Sequence, residues 1–273
     1  KNSNGTEITG SYTNQTFSYS ATDSGSGISY LQYKKPGSSS WLTYTSGTSI
    51  SASAASGTYQ FRAVDKAGNI SATKSITLDS SKPTMTIYSG TTSVSSGYKS
   101  IAKYIKATAS DSGSGVKTIY VNKPGSSSYT EYTSGAQLTA DGAYSFYSVD
   151  NAGNTSQTYT ISKDCTKPTL TSSVGGFGKT LKDGFSVTAS DNFSGVTLYY
   201  KTPNASSFVA STVSSVVFSK TAVNGTYAFY AVDGFGNKSD TYYMYMSIDA
   251  PEATIVKSDN SHKVCVIWTA SNC

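Results

Sequence analysis

The sequence predicts an all-β protein built of three tandem sandwich domains, and three observations carry that expectation. A set of anchor residues recurs with a period near 84 along the 273 residues. The composition favours strands and turns, with 24 Gly and 22 Tyr against three glutamates (Glu7, Glu131, Glu252) and one arginine, Arg62. Between turn signals, apolar residues alternate in period two, the mark of a half-buried strand. Aromatic residues make up 12% of the chain, too many for a solvated tail.

The repeat decides the architecture. Its first anchor is an Asp-led turn, Asp23-Ser24-Gly25-Ser26-Gly27, then Asp111 to Gly115, then Asp191-Asn192-Phe193-Ser194-Gly195. A proline turn follows (Pro36, Pro124, Pro203), and five residues beyond it stands a large ring: Trp41, Tyr129, Phe208. The second Asp turn is Val64-Asp65-Lys66-Ala67-Gly68-Asn69, then Val149 to Asn154, then Val232 to Asn237. Its aspartates Asp65, Asp150 and Asp233 lie 85 and 83 residues apart, as do the junction prolines Pro83, Pro168 and Pro251. That period is too long for a solenoid unit and suits a small sandwich that buries its own core.

Each unit reads as about seven short strands. In the first copy these are Phe17–Ala21, Tyr30–Tyr33, Trp41–Tyr44, Ser49–Ser51, Tyr59–Ala63 and Ser75–Leu78, with Met85–Tyr88 opening the second copy. Tyr59, Phe61 and Ala63 share a face, as do Tyr144 with Phe146 and Tyr227 with Phe229, so these are expected in the cores. The ring at Trp41, Tyr129 and Phe208 is expected in the core or between the sheets, because its change to Phe keeps size and discards the polar handle, with an exposed ligand platform as the alternative. Twenty-two residues precede Asp23 where 28 stand between Lys82 and Asp111, so the first copy is expected to lack part of its first strand. Ile267–Asn272 matches Lys106–Asp111 in spacing, and the stretch 251–273 reads as a partial fourth repeat or an added edge strand. The expected domains are 1–80, 81–165 and 166–250, in a segment that looks cut from a longer array.

Composition excludes several functions. The charge of +5 comes from scattered lysines, the densest being Lys99, Lys103 and Lys106, with no Arg cluster of the kind that grips nucleic acid. No apolar run approaches the length of a membrane-spanning helix. The single histidine, His262, falls in the partial repeat, so neither a Ser-His-Asp arrangement nor a multi-histidine metal site is arguable, and the chain is expected to be non-enzymatic. Cys265 and Cys273, eight residues apart, could pair and leave Cys165 unbridged.

On the Asp-x-x-Ser-Gly-Val/Ile turns (Asp23 to Ile28, Asp111 to Val116, Asp191 to Val196) and the Ala/Ser-Val-Asp-x-x-Gly-Asn turns (Ala63 to Asn69, Ser148 to Asn154, Ala231 to Asn237), the chain resembles the tandem bacterial immunoglobulin-like repeats of Gram-positive (Firmicute) surface proteins. The resemblance implies three immunoglobulin-like β-sandwiches in an elongated array, secreted or displayed at the cell surface. It implies a role in adhesion or host-protein binding, the partner being an immunoglobulin or a mucosal glycoprotein. Binding of immunoglobulin variable domains, a spacer stalk and a carbohydrate-binding module with a glycan ligand are the alternatives.

Two sets of residues are singled out. In such a sandwich the two Asp turns lie at the pole where the preceding domain enters, so Asp111, Asp150 and Asn154 should face Asp79, while Asp191, Asp233 and Asn237 face Asp164. Converging carboxylate and amide oxygens could hold calcium; equally, Asp and Asn accept backbone N–H bonds in tight turns with no metal at all. The second set is aromatic. The third copy places Phe193 and Phe235 where the others carry Gly25, Gly113, Ala67 and Ala152, beside Phe177. Alternation also sets Tyr243 and Tyr245 opposite Tyr242, Met244 and Met246. These rings are candidate partner-binding residues, or, for the Phe pair, packing against the preceding domain.

Overall fold

In the computed structural model, residues 1–249 are described in full, together with the backbone of strands 252–257 and 264–269. No helix occurs among the described residues. The chain divides into two compact units, residues 1–98 with 102–163, and residues 99–101 with 164 onward. Three tandem all-β domains fill them.

The first domain is a sheet of β1 (Tyr12–Thr13), β2 (Ile28–Lys34), β3 (Leu42–Tyr44), β4 (Gly57–Asp65) and β5 (Lys74–Leu78), in the order β1-β5-β4-β2-β3. The layer facing it is reduced to bridges joining Asn2, Phe17 and Ile50. The expected strands Phe17–Ala21 and Ser49–Ser51 are therefore single bridges. The Tyr19 N–H donates to the Tyr44 hydroxyl (2.9 Å), and the same bond recurs in the second domain from the Ala107 N–H to the Tyr132 hydroxyl (3.1 Å). There Ile105–Ser110 is a full strand because Thr84–Ser89 pairs with it; among the described residues the first domain offers only the Asn2 bridge on that edge.

The second domain has both layers. One sheet holds β6 (Thr84–Ser89), β7 (Thr92–Val94) and β9 (Ile105–Ser110), ordered β7-β6-β9. The other holds β8 (Tyr98–Ser100), β10 (Val116–Asn122), β11 (Thr130–Tyr132), β12 (Gly142–Asp150) and β13 (Tyr159–Lys163), ordered β11-β10-β12-β13-β8. The third domain repeats the plan with β14 (Thr169–Ser172), β16 (Phe185–Ser190) and β19 (Ser215–Phe218) in the order β14-β16-β19. Facing them is β15-β21-β20-β17-β18, made of β15 (Thr180–Leu181), β17 (Val196–Lys201), β18 (Val209–Ala210), β20 (Gly225–Asp233) and β21 (Tyr242–Met246). Beyond them β22 (Glu252–Lys257) and β23 (Val264–Thr269) pair antiparallel. The proposed partner of Cys265, Cys273, lies outside the described residues.

The cores form where alternation predicts. Tyr59, Phe61, Tyr144, Phe146, Tyr227 and Phe229 are all buried. Each of these three tyrosines keeps its hydroxyl satisfied by donating to a carbonyl four residues upstream: Tyr59 to Ala55 (3.1 Å), Tyr144 to Ala140 (2.9 Å), Tyr227 to Val223 (2.8 Å). The strand that carries them begins at a glycine for a steric reason. A Cβ on Gly142, at φ +135°, would lie 2.5 Å from the ring of Pro124, and the Gly57–Pro36 and Gly225–Pro203 pairs repeat that contact.

The large ring after the proline turn is not in the core. Tyr129 is exposed, and all three rings stand on the outer face of their five-stranded sheet. Tyr129 meets Tyr147 edge-on (4.8 Å), Phe208 meets Tyr230 (4.7 Å), and Trp41 carries the Arg62 guanidinium 4.1 Å from its ring centre. Conserving ring size from Trp to Phe therefore reflects stacking over a surface strand, where a cation or second ring serves as well as a core neighbour.

One charged pair replaces apolar contact in the second core. Lys163 is fully buried and its Nζ lies 2.6 Å from Asp141 Oδ1. Leu78 and Met246 occupy the matching register in the other domains, opposite Gly57 and Gly225 as Lys163 is opposite Gly142. Removing one member of a buried pair strands the other's charge. Asp141→Asn is expected to lower stability by about 3–5 kcal/mol in urea titration. Adding Lys163→Met to it, which recreates the Asn224 and Met246 pair of the third domain, should recover most of that loss. An Asp141→Asn cost below about 1 kcal/mol would show the pair to behave as an exposed one.

Candidate functional site

Both Asp turns in every domain are built from local chemistry. In the second turn the aspartate accepts the N–H and the side-chain amide of the asparagine four residues on: Asp65 from Asn69, Asp150 from Asn154, Asp233 from Asn237, at 2.7–2.9 Å. A serine beyond it locks the strand, its Oγ accepting a backbone N–H at 2.9 Å: Ser71 from Ala63, Ser156 from Ser148, Ser239 from Ala231. These bonds explain why Asp, Gly, Asn and Ser recur at fixed offsets.

The turns also reach the linkers. Asn154 Nδ2 donates to the Asp79 carbonyl and Asn237 Nδ2 to the Asp164 carbonyl, both at 2.9 Å. Asn14 of the first domain donates to Asn154 Oδ1 (3.3 Å). Three carboxylates then converge at each place: Asp79, Asp111 and Asp150 in the first unit, and Asp164, Asp191 and Asp233 in the second, with one oxygen of each within 4.8 Å of the others.

The two clusters differ in how these oxygens are used. Asp79, buried to 1% exposure, accepts the Ser81 N–H (3.0 Å) and the Ser114 N–H (2.7 Å). Burial pushes its carboxyl up, but the bonds from Ser114 and Ser81 outweigh this and hold it below the ordinary value. This grip needs a bare backbone: a Cβ on Gly113 would lie 2.4 Å from the Asp79 carboxylate. In the third domain that position is Phe193, and the loop is rebuilt. Gly115 adopts φ +79°, whereas Gly195 stays out of the left-handed region. The Ser194 N–H turns to its own Asp191 Oδ2 (2.8 Å), and Asp164 receives the Ser194 hydroxyl (3.1 Å) and the Thr166 N–H (3.2 Å) instead. Burial, with the charges of Asp191 and Asp233 adding to it, raises the Asp164 carboxyl above its ordinary value. Asp191 Oδ1 is buried without a hydrogen-bond partner.

As cation ligands the two sets are therefore unequal. Both oxygens of Asp79 and of Asp150 are held by N–H donors. Both of Asp164 and of Asp233 are held as well, those of Asp164 by the Thr166 N–H and the Ser194 hydroxyl, those of Asp233 by Asn237. The second cluster keeps an unmet oxygen on Asp191 beside a carboxylate that resists ionisation, a donor set that a hard cation would complete.

The aromatic candidates separate into three places. Phe193 and Phe235 come together, ring centres 5.7 Å apart, with Phe193 exposed; inside the same unit Lys99 Nζ lies 5.4 Å from the Phe235 ring. Phe177 is elsewhere, stacked on Tyr242 (4.6 Å) at the fringe of the third core. Tyr243 and Tyr245 are exposed while Met244 and Met246 are buried. The outward cations Lys201 and Lys238, near Phe208 and Tyr230, are not among the residues the sequence singles out, because a core ring has no need of a neighbouring cation. Comparing the copies for lysines beside that ring would have found them.

The two linker aspartates should answer to substitution with opposite signs. Asp79→Asn is expected to cost about 1.5–3 kcal/mol at pH 7, the range for hydrogen bonds to a charged group. Asp164→Asn, which removes a charge the site resists, should be neutral or stabilising in thermal melts. The pH dependence follows. The contribution of Asp79, whose folded pKa is depressed, is full above the ordinary carboxyl value and is lost as pH falls through its lower folded value. The contribution of Asp164, whose folded pKa is raised, is full below the ordinary value and is lost as pH rises through its higher folded value.

No protein-family profile and no curated protein matches the sequence. Among solved structures the chain is similar to fibronectin(III)-like modules of Clostridium thermocellum CbhA, at 17% identity over 60% of this chain and 93% of that one, with a TM-score of 0.26. It is similar to the FN1–FN3 domains of chicken CNTN1, at 14% identity over 81% and 91%, TM-score 0.23. Extracellular domains 3–5 of Drosophila OTK align at 11% identity over 85% and 90%, TM-score 0.30.

Proposed function

We propose that this chain is a non-enzymatic segment of a bacterial surface protein that mediates adhesion by binding a host protein through its third domain. One observation carries the reading: the third domain presents aromatic rings at four positions where both sister domains hold small or polar residues. Phe193 and Phe235 replace Gly113 and Ala152, and Tyr243 and Tyr245 occupy the register of Thr160 and Ser162 in the second domain. Large rings presented on loops and an open strand face are the usual anchors of a protein interface. The first two domains, whose linker is held by Asp79 and Asn154, suit display of that surface.

Pull-down from serum and mucus with the whole chain, read by mass spectrometry, tests this. The expected result is recovery of a host protein that falls at least about tenfold when Phe193→Gly and Phe235→Ala restore the sister residues. Recovered immunoglobulin would place the partner in the variable-domain class. Recovery of nothing from either fluid would overturn the adhesive reading in favour of a spacer.

A further inference from the structure

The outer face of the five-stranded sheet of the third domain repeats the ring stack of the second, where Tyr120 lies on Tyr147 at 4.9 Å with Tyr129 edge-on, and adds Lys238, Tyr243 and Tyr245, which neither sister domain has. Tyr199 and Tyr230 face one another across β17 and β20 and stack at 4.8 Å, nearly parallel at 8°. Phe208 stands edge-on to Tyr230, Lys238 Nζ lies 3.8 Å over the Tyr230 ring, and Lys201 Nζ lies 5.9 Å from that of Phe208. One step along the sheet, Lys201, Ala228 and Tyr243 form a row across three strands, and Thr226 and Tyr245 form part of the next. The matching strand partners to Ala228 and Tyr243 are Gln60 and Ser75 in the first domain and Ser145 and Thr160 in the second.

The charge on this face has one sign. No acidic residue occurs in β15, β17, β18 or β21, and the single one in β20, Asp233, is buried on the opposite side and bonded to Asn237. Asp240, just before β21, is paired with Lys167 (3.1 Å). The face thus offers two ammonium groups, the rings of five aromatic residues and the phenolic hydroxyls of four tyrosines. Ammonium groups seek a carboxylate, phenols exchange hydrogen bonds with sugar hydroxyls, and ring surfaces take the apolar C–H side of a pyranose.

We propose that this face binds an acidic glycan, a chain of sugars bearing carboxylates, with Lys201 and Lys238 meeting the charge and Tyr199, Tyr230 and Tyr243 meeting the sugar. This rests on the adhesive reading and names a ligand class for the same domain, on a surface distinct from the Phe193–Phe235 pair.

Isothermal titration of the whole chain with polygalacturonate, with its fully methyl-esterified form, and with poly-glutamate separates the contributions. Binding to polygalacturonate is expected, with at least tenfold weaker binding of the ester, which keeps the sugar and loses the charge, and of poly-glutamate, which keeps the charge and loses the sugar. Lys201→Ala with Lys238→Ala, and separately Tyr243→Ser with Tyr245→Thr, the residues of the first domain, should each weaken binding at least tenfold with unchanged melting temperature. Equal binding of the ester or of poly-glutamate, unchanged binding by either double variant, or no binding of polygalacturonate would each overturn the proposal. If polygalacturonate fails while a host protein is still recovered from serum or mucus, the acidic-glycan proposal alone falls; if both fail, the adhesive reading falls with it.

Discussion

A carboxylate taken out of water must be met by donors, and the aspartate that closes each linker sets what the loops around it can be. Asp79 and Asp164 are both fully or almost fully buried, each beside two further aspartates. The cost is carried differently at the two places. Around Asp79 the chain offers backbone N–H groups from both sides, Ser81 from the linker and Ser114 from the opposing turn. Asn154 then ties the linker carbonyl, its own turn and the first domain together through one side chain. Around Asp164 one of those donors is missing, and the charge is left in tension with its neighbours.

A single side chain accounts for that difference. Glycine at 113 lets the turn close onto the linker carboxylate; phenylalanine at 193 cannot occupy the same place, so its turn folds back on its own aspartate. The third domain thereby exchanges a satisfied junction for an exposed ring beside Phe235. Loss of a local hydrogen bond together with gain of an exposed apolar group is the kind of departure from internal consistency that accompanies function. Lys238, Tyr243 and Tyr245, which the sister domains lack, point the same way, since nothing in the packing of its core requires them.

Much of the fold was legible because the repeat made each inference three times over. Tyr59, Tyr144 and Tyr227 sit in the same strand with the same upstream carbonyl, and the Asp–Asn turns follow from side-chain reach across four residues. What failed did so for identifiable reasons. The change from Trp and Tyr to Phe at positions 41, 129 and 208 keeps size and discards the polar handle, which suggests a core, yet stacking on Arg62, Tyr147 and Tyr230 holds these rings outside. The strand expected at Phe17–Ala21 carries the right alternation, but beyond the Asn2 bridge it lacks the pairing strand that Thr84–Ser89 supplies to Ile105–Ser110 in the second domain. Nothing in composition or charge distinguishes Lys163 from the other lysines; only its register opposite Gly142, shared with Leu78 and Met246, marks it as buried. The convergence of three aspartates is a matter of topology, whereas the difference in their ionisation depends on loop conformation that spacing alone does not encode.

The account turns on the claim that two carboxylates at equivalent positions, in equivalent linkers, ionise on opposite sides of the ordinary value because of one glycine and one phenylalanine. Carbon-13 NMR titration of the side-chain carboxyls of Asp79 and Asp164 in the whole chain measures this directly. The account predicts a midpoint below the ordinary aspartate value for Asp79 and above it for Asp164, with Asp164 moving down in Phe193→Gly. Indistinguishable midpoints, or the reverse order, would contradict it.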